Sequence, residues 1–233
     1  PFVEKVWNRS DQIAKKGYSI IIHGKPQHEE TRATFSHSNH YAKSIVVKDL
    51  DEAKQLAEFI LNKKNKEEFN TLFSSTSSAN FDLEKDLTRV GVINQTTMLA
   101  TETQEIADFF KQVMIEKYGV ENIKEHFADT RDTLCYATND NQSAVIGLLE
   151  TSADLAIVMG GKNSSNSSHL VELCEQKLPT YFIDDASKVI SKDQIQKTDW
   201  KNKESVIVSD YLPKKENISI LMTSGASCPD AVV

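Results

Sequence analysis

The 233-residue chain is 39% apolar and 26% charged, with a net charge of −7, a balance that suits one large globular domain or two of about 100–130 residues. The negative charge argues against a nucleic-acid surface and an anionic membrane partner, and no apolar run approaches the ~18 residues of a transmembrane helix. A small anionic ligand stays open, because one local group of donors can outweigh the average field.

Pro1-Phe2-Val3 opens the chain without a methionine, and Asp230-Ala231-Val232-Val233 closes it in mid-pattern. A piece of a longer protein is therefore expected, with no secretory signal at its start. Cys135, Cys174 and Cys228 are odd in number and widely spaced. They make no disulfide framework, and a reducing, cytoplasmic compartment fits them better.

In the first half, Ser10 to Lys16 reads as a helix ending at Gly17. Tyr18 to Ile22 reads as a strand that runs into the polar turn His23-Gly24-Lys25-Pro26-Gln27-His28-Glu29-Glu30. Ser44 to Val47 is a second strand, after which Asp49 caps a helix through Ala53, Leu56, Phe59 and Ile60. The polar stretch 63–86, with its SSTSSAN core, reads as a surface insertion or flexible loop. Arg89 to Ile93 is a third strand leading into Asn94-Gln95-Thr96-Thr97, and a helix is expected over Glu102 to Lys117.

The second half repeats this order. A helix over Asn141 to Glu150 precedes the strand Leu155 to Met159, which stops at Gly160-Gly161-Lys162. Thr180 to Ile183 is a strand followed by Asp184-Asp185 and a helix, and Ile218 to Met222 leads into Thr223-Ser224-Gly225-Ala226-Ser227. Strands alternating with helices predict an α/β fold of two similar units, each a small, mostly parallel sheet flanked by helices. The units span 1–130 and 131–233. In such sheets ligands bind beyond the carboxyl ends of the strands, so both Gly-Lys turns and both Thr/Ser turns are expected to line one cleft.

The most telling stretch is Asp154 to His169, where a buried strand, a glycine turn and Lys162 lead into a run of Ser and Asn at a helix start. One such residue suffices for a cap. A whole run, at the positive end of a helix, favours an anion cradle; the Walker A spacing is absent. A lone cysteine is most often a small buried hydrophobe. Cys174 fits that description, Cys228 is ambiguous, and Cys135 stands at the unit junction before a helix. His28 and Glu30 could form a proton relay, but on spacing alone a solvated loop is the better reading. The remaining histidines show no metal-ligand spacing.

Taken in order, Gln95-Thr96-Thr97, Cys135-Tyr136-Ala137-Thr138, Gly161-Lys162-Asn163-Ser164-Ser165-Asn166-Ser167, Ile183-Asp184-Asp185-Ala186 and Gly225-Ala226-Ser227-Cys228-Pro229-Asp230 resemble the 4-hydroxy-3-methylbut-2-enyl diphosphate reductase family. The resemblance covers nearly the whole chain outside 63–86. It implies a pseudo-threefold architecture of three α/β units around a [4Fe–4S] cluster, each unit giving one cysteine. This chain resembles the second and third units. Cys135 matches the third unit's ligand. Pro1 to Val6 resembles the segment just after the second unit's ligand, so the other cluster cysteines lie outside the chain. The repeat, which aligns Pro1 with Tyr136, likewise places a cysteine before Pro1.

The resemblance further implies reductive dehydroxylation of (E)-4-hydroxy-3-methylbut-2-enyl diphosphate to isopentenyl and dimethylallyl diphosphate, the final step of the non-mevalonate isoprenoid pathway. The implied electron donor is a protein such as ferredoxin or flavodoxin. Ser164, Asn166 and Ser227 match diphosphate contacts, with Ser165 alongside. His28 matches a ligand-bonding histidine, Glu30 the proton-delivering glutamate and Thr96 a threonine beside it. Many members have His-Pro-Glu where this chain has His28-Glu29-Glu30, a second histidine where it has Lys25, and alanine where it has Cys228. The alternative is a non-catalytic phosphate-binding α/β module that has lost the cluster.

Overall fold

A computed structural model describes residues 2–128, 136–226 and 228. The chain divides into two compact units, Pro1–Cys135 and Tyr136–Val233. Among the described residues no helix is long and apolar enough to cross a membrane.

In the first unit, α1 (Phe2–Lys15) leads to β1 (Ser19–His23), and α2 (Glu29–Asn39) to β2 (Ser44–Val47). Then come α3 (Leu50–Ile60), α4 (Lys66–Phe73), α5 (Leu83–Asp86), β3 (Val90–Asn94) and α6 (Ala100–Tyr118). A 3-10 turn, Val120–Asn122, a single helical turn α7 (Ile123–His126) and the short β4 (Phe127–Ala128) complete the unit. The sheet order is β2-β1-β3-β4 with every pair parallel. Every residue of β1, β2 and β3 is buried, as near-continuous apolar runs must be when helices cover both faces of a parallel sheet. Asp49 caps α3 by accepting from Glu52 N at 2.9 Å. That turns Ala53, Leu56, Phe59 and Ile60 into the core shared with Ile106 and Phe110 of α6.

The second unit runs α8 (Tyr136–Leu148), β5 (Leu155–Met159), α9 (Ser165–Glu175) and β6 (Thr180–Ile183). After these come a 3-10 turn, Ala186–Lys188, a hairpin of β7 (Gln194–Thr198) and β8 (Ser205–Ser209), and β9 (Ile220–Ser224). The main sheet is β6-β5-β9, all parallel. Its register copies the first unit. Ser19 pairs with Val90 and Ile20 with Ser44 in one sheet; Leu155 pairs with Ile220 and Ala156 with Thr180 in the other. The ladder also ends alike, with Gly24 N donating to Val47 O and Gly160 N to Ile183 O, each at 3.0 Å.

Three expectations need correction. The segment 63–86 is not a flexible loop. Asn65 and Glu68 form a capping box for α4, and Phe69, Phe73 and Phe81 are 1%, 2% and 3% exposed. The ring of Phe69 lies 5.4 Å from Phe59 and 5.4 Å from Phe81. Its SSTSSAN core pairs along the outer edge of β2: Val46 N donates to Thr76 O and Ser78 N to Ser44 O, each at 2.8 Å. The segment thus covers an edge strand that would otherwise be open to pairing. The helix expected after Asp184-Asp185 is only one 3-10 turn, in which Asp185 caps Ser187 N at 2.8 Å. The polar turn after Gly24 gives way at Glu29 to α2, where the sequence pattern predicts only loop.

Candidate functional site

The first unit's candidate residues gather where β1 and β3 end. Gly24 is required there by crowding: a Cβ would sit 2.6 Å from Thr31 Oγ1 and 3.1 Å from Gln95 Cβ. His28 is the N-cap of α2, its Nδ1 accepting from Glu30 N at 3.3 Å. Glu30 is half-buried while Glu29 is exposed. The Glu30 carboxylate accepts from Thr96 N at 2.5 Å, and a carboxylate in the first turn of a helix is favoured by the helix dipole. His28, Glu30 and Thr96 therefore form one connected group, across 66 residues between Glu30 and Thr96.

Gln95 holds that group in place. It is buried, and its Oε1 accepts from Lys25 N at 3.2 Å and from Thr31 Oγ1 at 2.8 Å, while Nε2 donates to Thr97 Oγ1 at 2.6 Å. One amide thus ties the β1 turn, α2 and the β3 turn together. The sequence marked Gln95 only as part of a motif. That its amide meets Thr31 and Thr97 is set by packing and carries no signal in the sequence. His23 is fully buried with Nδ1 2.9 Å from Thr103 Oγ1, which gives it a structural place at the strand end.

The second unit's candidates lie where β5 and β9 end. Ser164 is the N-cap of α9; its Oγ accepts from Ser167 N at 3.2 Å and from Ser167 Oγ at 3.0 Å. Ser167 fills the space left by two glycines, since a Cβ on Gly160 or on Gly225 would collide with its Oγ. The turn Gly225 N to Met159 O, at 3.1 Å, carries the same strand end onward. Ser164 and Ser165 are half-buried and Lys162 is exposed. Asn166 is only 7% exposed, yet neither its Nδ2 nor its Oδ1 has a partner among the described residues. A buried amide with nothing to bond is costly, and it lies in the first turn of a helix, where anions are favoured. Ser227, the further candidate for this cradle, lies outside the described residues.

The cysteines divide as follows. Cys174 is fully buried on α9, and burial first, then the nearby Glu175 charge, push its thiol up to about 11. Since thiolates are the metal ligands, Cys174 is core. Cys228 is half-buried against the apolar face that contains Leu155, Ile157 and Tyr181. Cys135 lies outside the described residues. Among the described residues no group of three His, Cys, Asp or Glu could hold a metal ion, so by themselves they do not fit a [4Fe–4S] cluster.

A family model described as LytB protein matches residues 1–233. The 4-hydroxy-3-methylbut-2-enyl diphosphate reductase of Gloeobacter violaceus is 41% identical over 234 residues, covering 100% of this chain and 55% of that protein. The protein of the same name from Nostoc punctiforme is 42% identical over 234 residues, covering 100% of this chain and 57% of its own. The structure of the E-1-hydroxy-2-methyl-but-2-enyl-4-diphosphate reductase from Plasmodium falciparum aligns with a TM-score of 0.62 at 22% identity, over 100% of this chain and 55% of that one. That likeness concerns the fold alone. The chain spans a little over half the length of the curated relatives it matches.

Proposed function

The chain belongs to the LytB protein family, and from that membership we propose that it forms the diphosphate-holding and proton-donating part of a 4-hydroxy-3-methylbut-2-enyl diphosphate reductase. The reaction removes the allylic hydroxyl of (E)-4-hydroxy-3-methylbut-2-enyl diphosphate and leaves isopentenyl and dimethylallyl diphosphate. Hydroxide is a poor leaving group, so the oxygen must be protonated as the C–O bond breaks and water departs. Glu30 is our proton donor. It is half-buried and held on the Thr96 N–H, whereas Glu29 faces solvent. His28, which fixes the first turn of α2 through the Glu30 N–H, is our second contact to the substrate.

Ser164, Ser165, Asn166 and Ser227 are our diphosphate contacts. The observation that carries this is Asn166, whose buried amide lacks any partner among the described residues and stands in the first turn of α9. Cys135 is our proposed ligand from this chain for a [4Fe–4S] cluster, with the other cysteines outside the chain. Such a cluster would supply the electrons, drawn from a donor such as ferredoxin or flavodoxin.

Glu30→Gln in the full-length protein tests the proton donor. A glutamine keeps the shape and still accepts from Thr96 N, but has no acidic proton. Substrate affinity should hold while kcat falls by roughly 10²–10⁴. Normal turnover in Glu30→Gln with loss in Glu29→Gln moves the role one residue. Normal turnover in both removes it from this turn.

A further inference from the structure

Helix α9 carries a second buried polar group with unused bonding capacity, one turn beyond Asn166. His169 is 3% exposed. Its Nδ1 lies 3.0 Å from Glu172 Oε2, and its Nε2 is buried with no partner among the described residues. A carboxylate only accepts, so the proton between them sits on Nδ1, and in that tautomer Nε2 is an acceptor. Asn166 is in the matching condition, with a buried Nδ2 that has two hydrogens to give and no acceptor among the described residues. Residues three apart on a helix have Cβ atoms about 5–6 Å apart; in this structure the two groups do not bond each other, and a side-chain rotation or one shared water would join them.

An asparagine amide has two nearly equivalent orientations, and one of them presents an oxygen to the anion. Something must choose between them if Asn166 is to bind phosphate. We propose that His169 is a positioning residue for Asn166, a proposal that rests on Asn166 being a diphosphate contact. When the anion is bound, Nε2 accepts one hydrogen of Asn166 Nδ2, directly or through one water, which aims the other at the anion and turns Oδ1 away. Glu172 in turn holds the tautomer that makes Nε2 an acceptor, as carboxylates do for functional histidines elsewhere. Glu172, His169 and Asn166 then form a single line of donors and acceptors, spaced by three residues, that points toward the N-terminus of α9.

The test uses the full-length holoenzyme, with KM, kcat and inhibition by inorganic diphosphate measured for Asn166→Ala, His169→Phe, His169→Gln and the double variant Asn166→Ala/His169→Phe. His169→Phe keeps the buried ring and removes the acceptor. It should raise KM and the diphosphate inhibition constant together by about 5–10-fold with kcat unchanged. His169→Gln returns an acceptor near the position of Nε2 and should regain most of that loss. In the Asn166→Ala background His169→Phe should add nothing, because the amide it orients is gone. A full additional loss in that background overturns the proposal, as does an unchanged KM in His169→Phe or a glutamine variant no better than phenylalanine. Should the phenylalanine variant fail to fold, His169→Leu, which also lacks the acceptor, decides in both backgrounds by the same coupling. If Asn166→Ala itself leaves KM and diphosphate inhibition unchanged, the diphosphate reading of Asn166 has failed, and the positioning role falls with it.

Discussion

Replacing Asn166 by leucine should make the protein more stable and bind worse. Leucine has nearly the shape of asparagine, so the buried site keeps its packing. The two amide atoms of Asn166 have no partner among the described residues, and an unpaired buried polar group costs about 1–3 kcal/mol. Leucine removes that cost, so unfolding should become harder by about 1–3 kcal/mol, or roughly 2–10 °C in Tm for a chain of this size. Affinity for the diphosphate group should fall in the same variant. A charge-assisted hydrogen bond contributes about 1.5–3 kcal/mol, which is a loss of roughly 10- to 150-fold. Urea denaturation gives the first number. Trp200 is a suitable reporter, because its Nε1 donates to Glu175 Oε2 of α9 at 2.9 Å, and Trp7→Phe removes the other tryptophan signal. Titration of the full-length protein with inorganic diphosphate gives the second. A leucine variant less stable than the parent by more than about 1 kcal/mol would show that the amide is satisfied in the folded chain, since only a lost bond can cost that much at constant shape. Unchanged affinity would remove Asn166 from the cradle.

Phe69→Ala should destabilise the first unit by about 3–5 kcal/mol, read from the denaturation midpoint of Trp7 fluorescence; a change below about 1 kcal/mol would mean that α4 is not part of the core. Cys174 should make stability fall with alkaline pH. The unfolded thiol ionises from about its ordinary value of 9.0, while the folded one stays protonated to about 11, so the unfolded state loses its proton first. Stability is then untouched by this group below pH 9 and declines between about 9 and 11. Denaturation at several pH values should show that decline in the parent and lose this component in Cys174→Ala; an identical slope in both would place the thiol in contact with water. The 233-residue chain alone, reconstituted anaerobically, should retain less than stoichiometric iron and sulfide after gel filtration. Cys174 is core and Cys228 packs against the apolar face with Leu155 and Ile157, which leaves Cys135 as the proposed ligand, and a single thiolate would leave a cluster's other irons open to water. A full complement surviving the column would refute this.

The strands, the turns and the cradle helix were legible in the sequence because their signals are local. A buried parallel strand shows as an apolar run, as Leu155 to Met159 does, and a glycine followed by Ser and Asn marks a helix start. The equal order of these signals in both halves also announced the repeat that the matching registers display. Helix α2 was not legible, because its buried face is Thr31, Thr34 and Ser38, and a helix buried on hydroxyls has no apolar period to read. The segment 63–86 was misleading for the opposite reason. Its composition is polar, and only the packing of Phe69, Phe73 and Phe81 beside Phe59, with a serine-rich strip paired to the edge of β2, shows why it is ordered. The choice between Glu29 and Glu30 also belonged to tertiary structure. Adjacent residues in a helical first turn point about 100° apart, and which of them meets Thr96 depends on how α2 and β3 pack. The empty bonding capacity of Asn166 and His169 was likewise invisible in one dimension, because whether a polar atom has a partner is a property of everything folded around it.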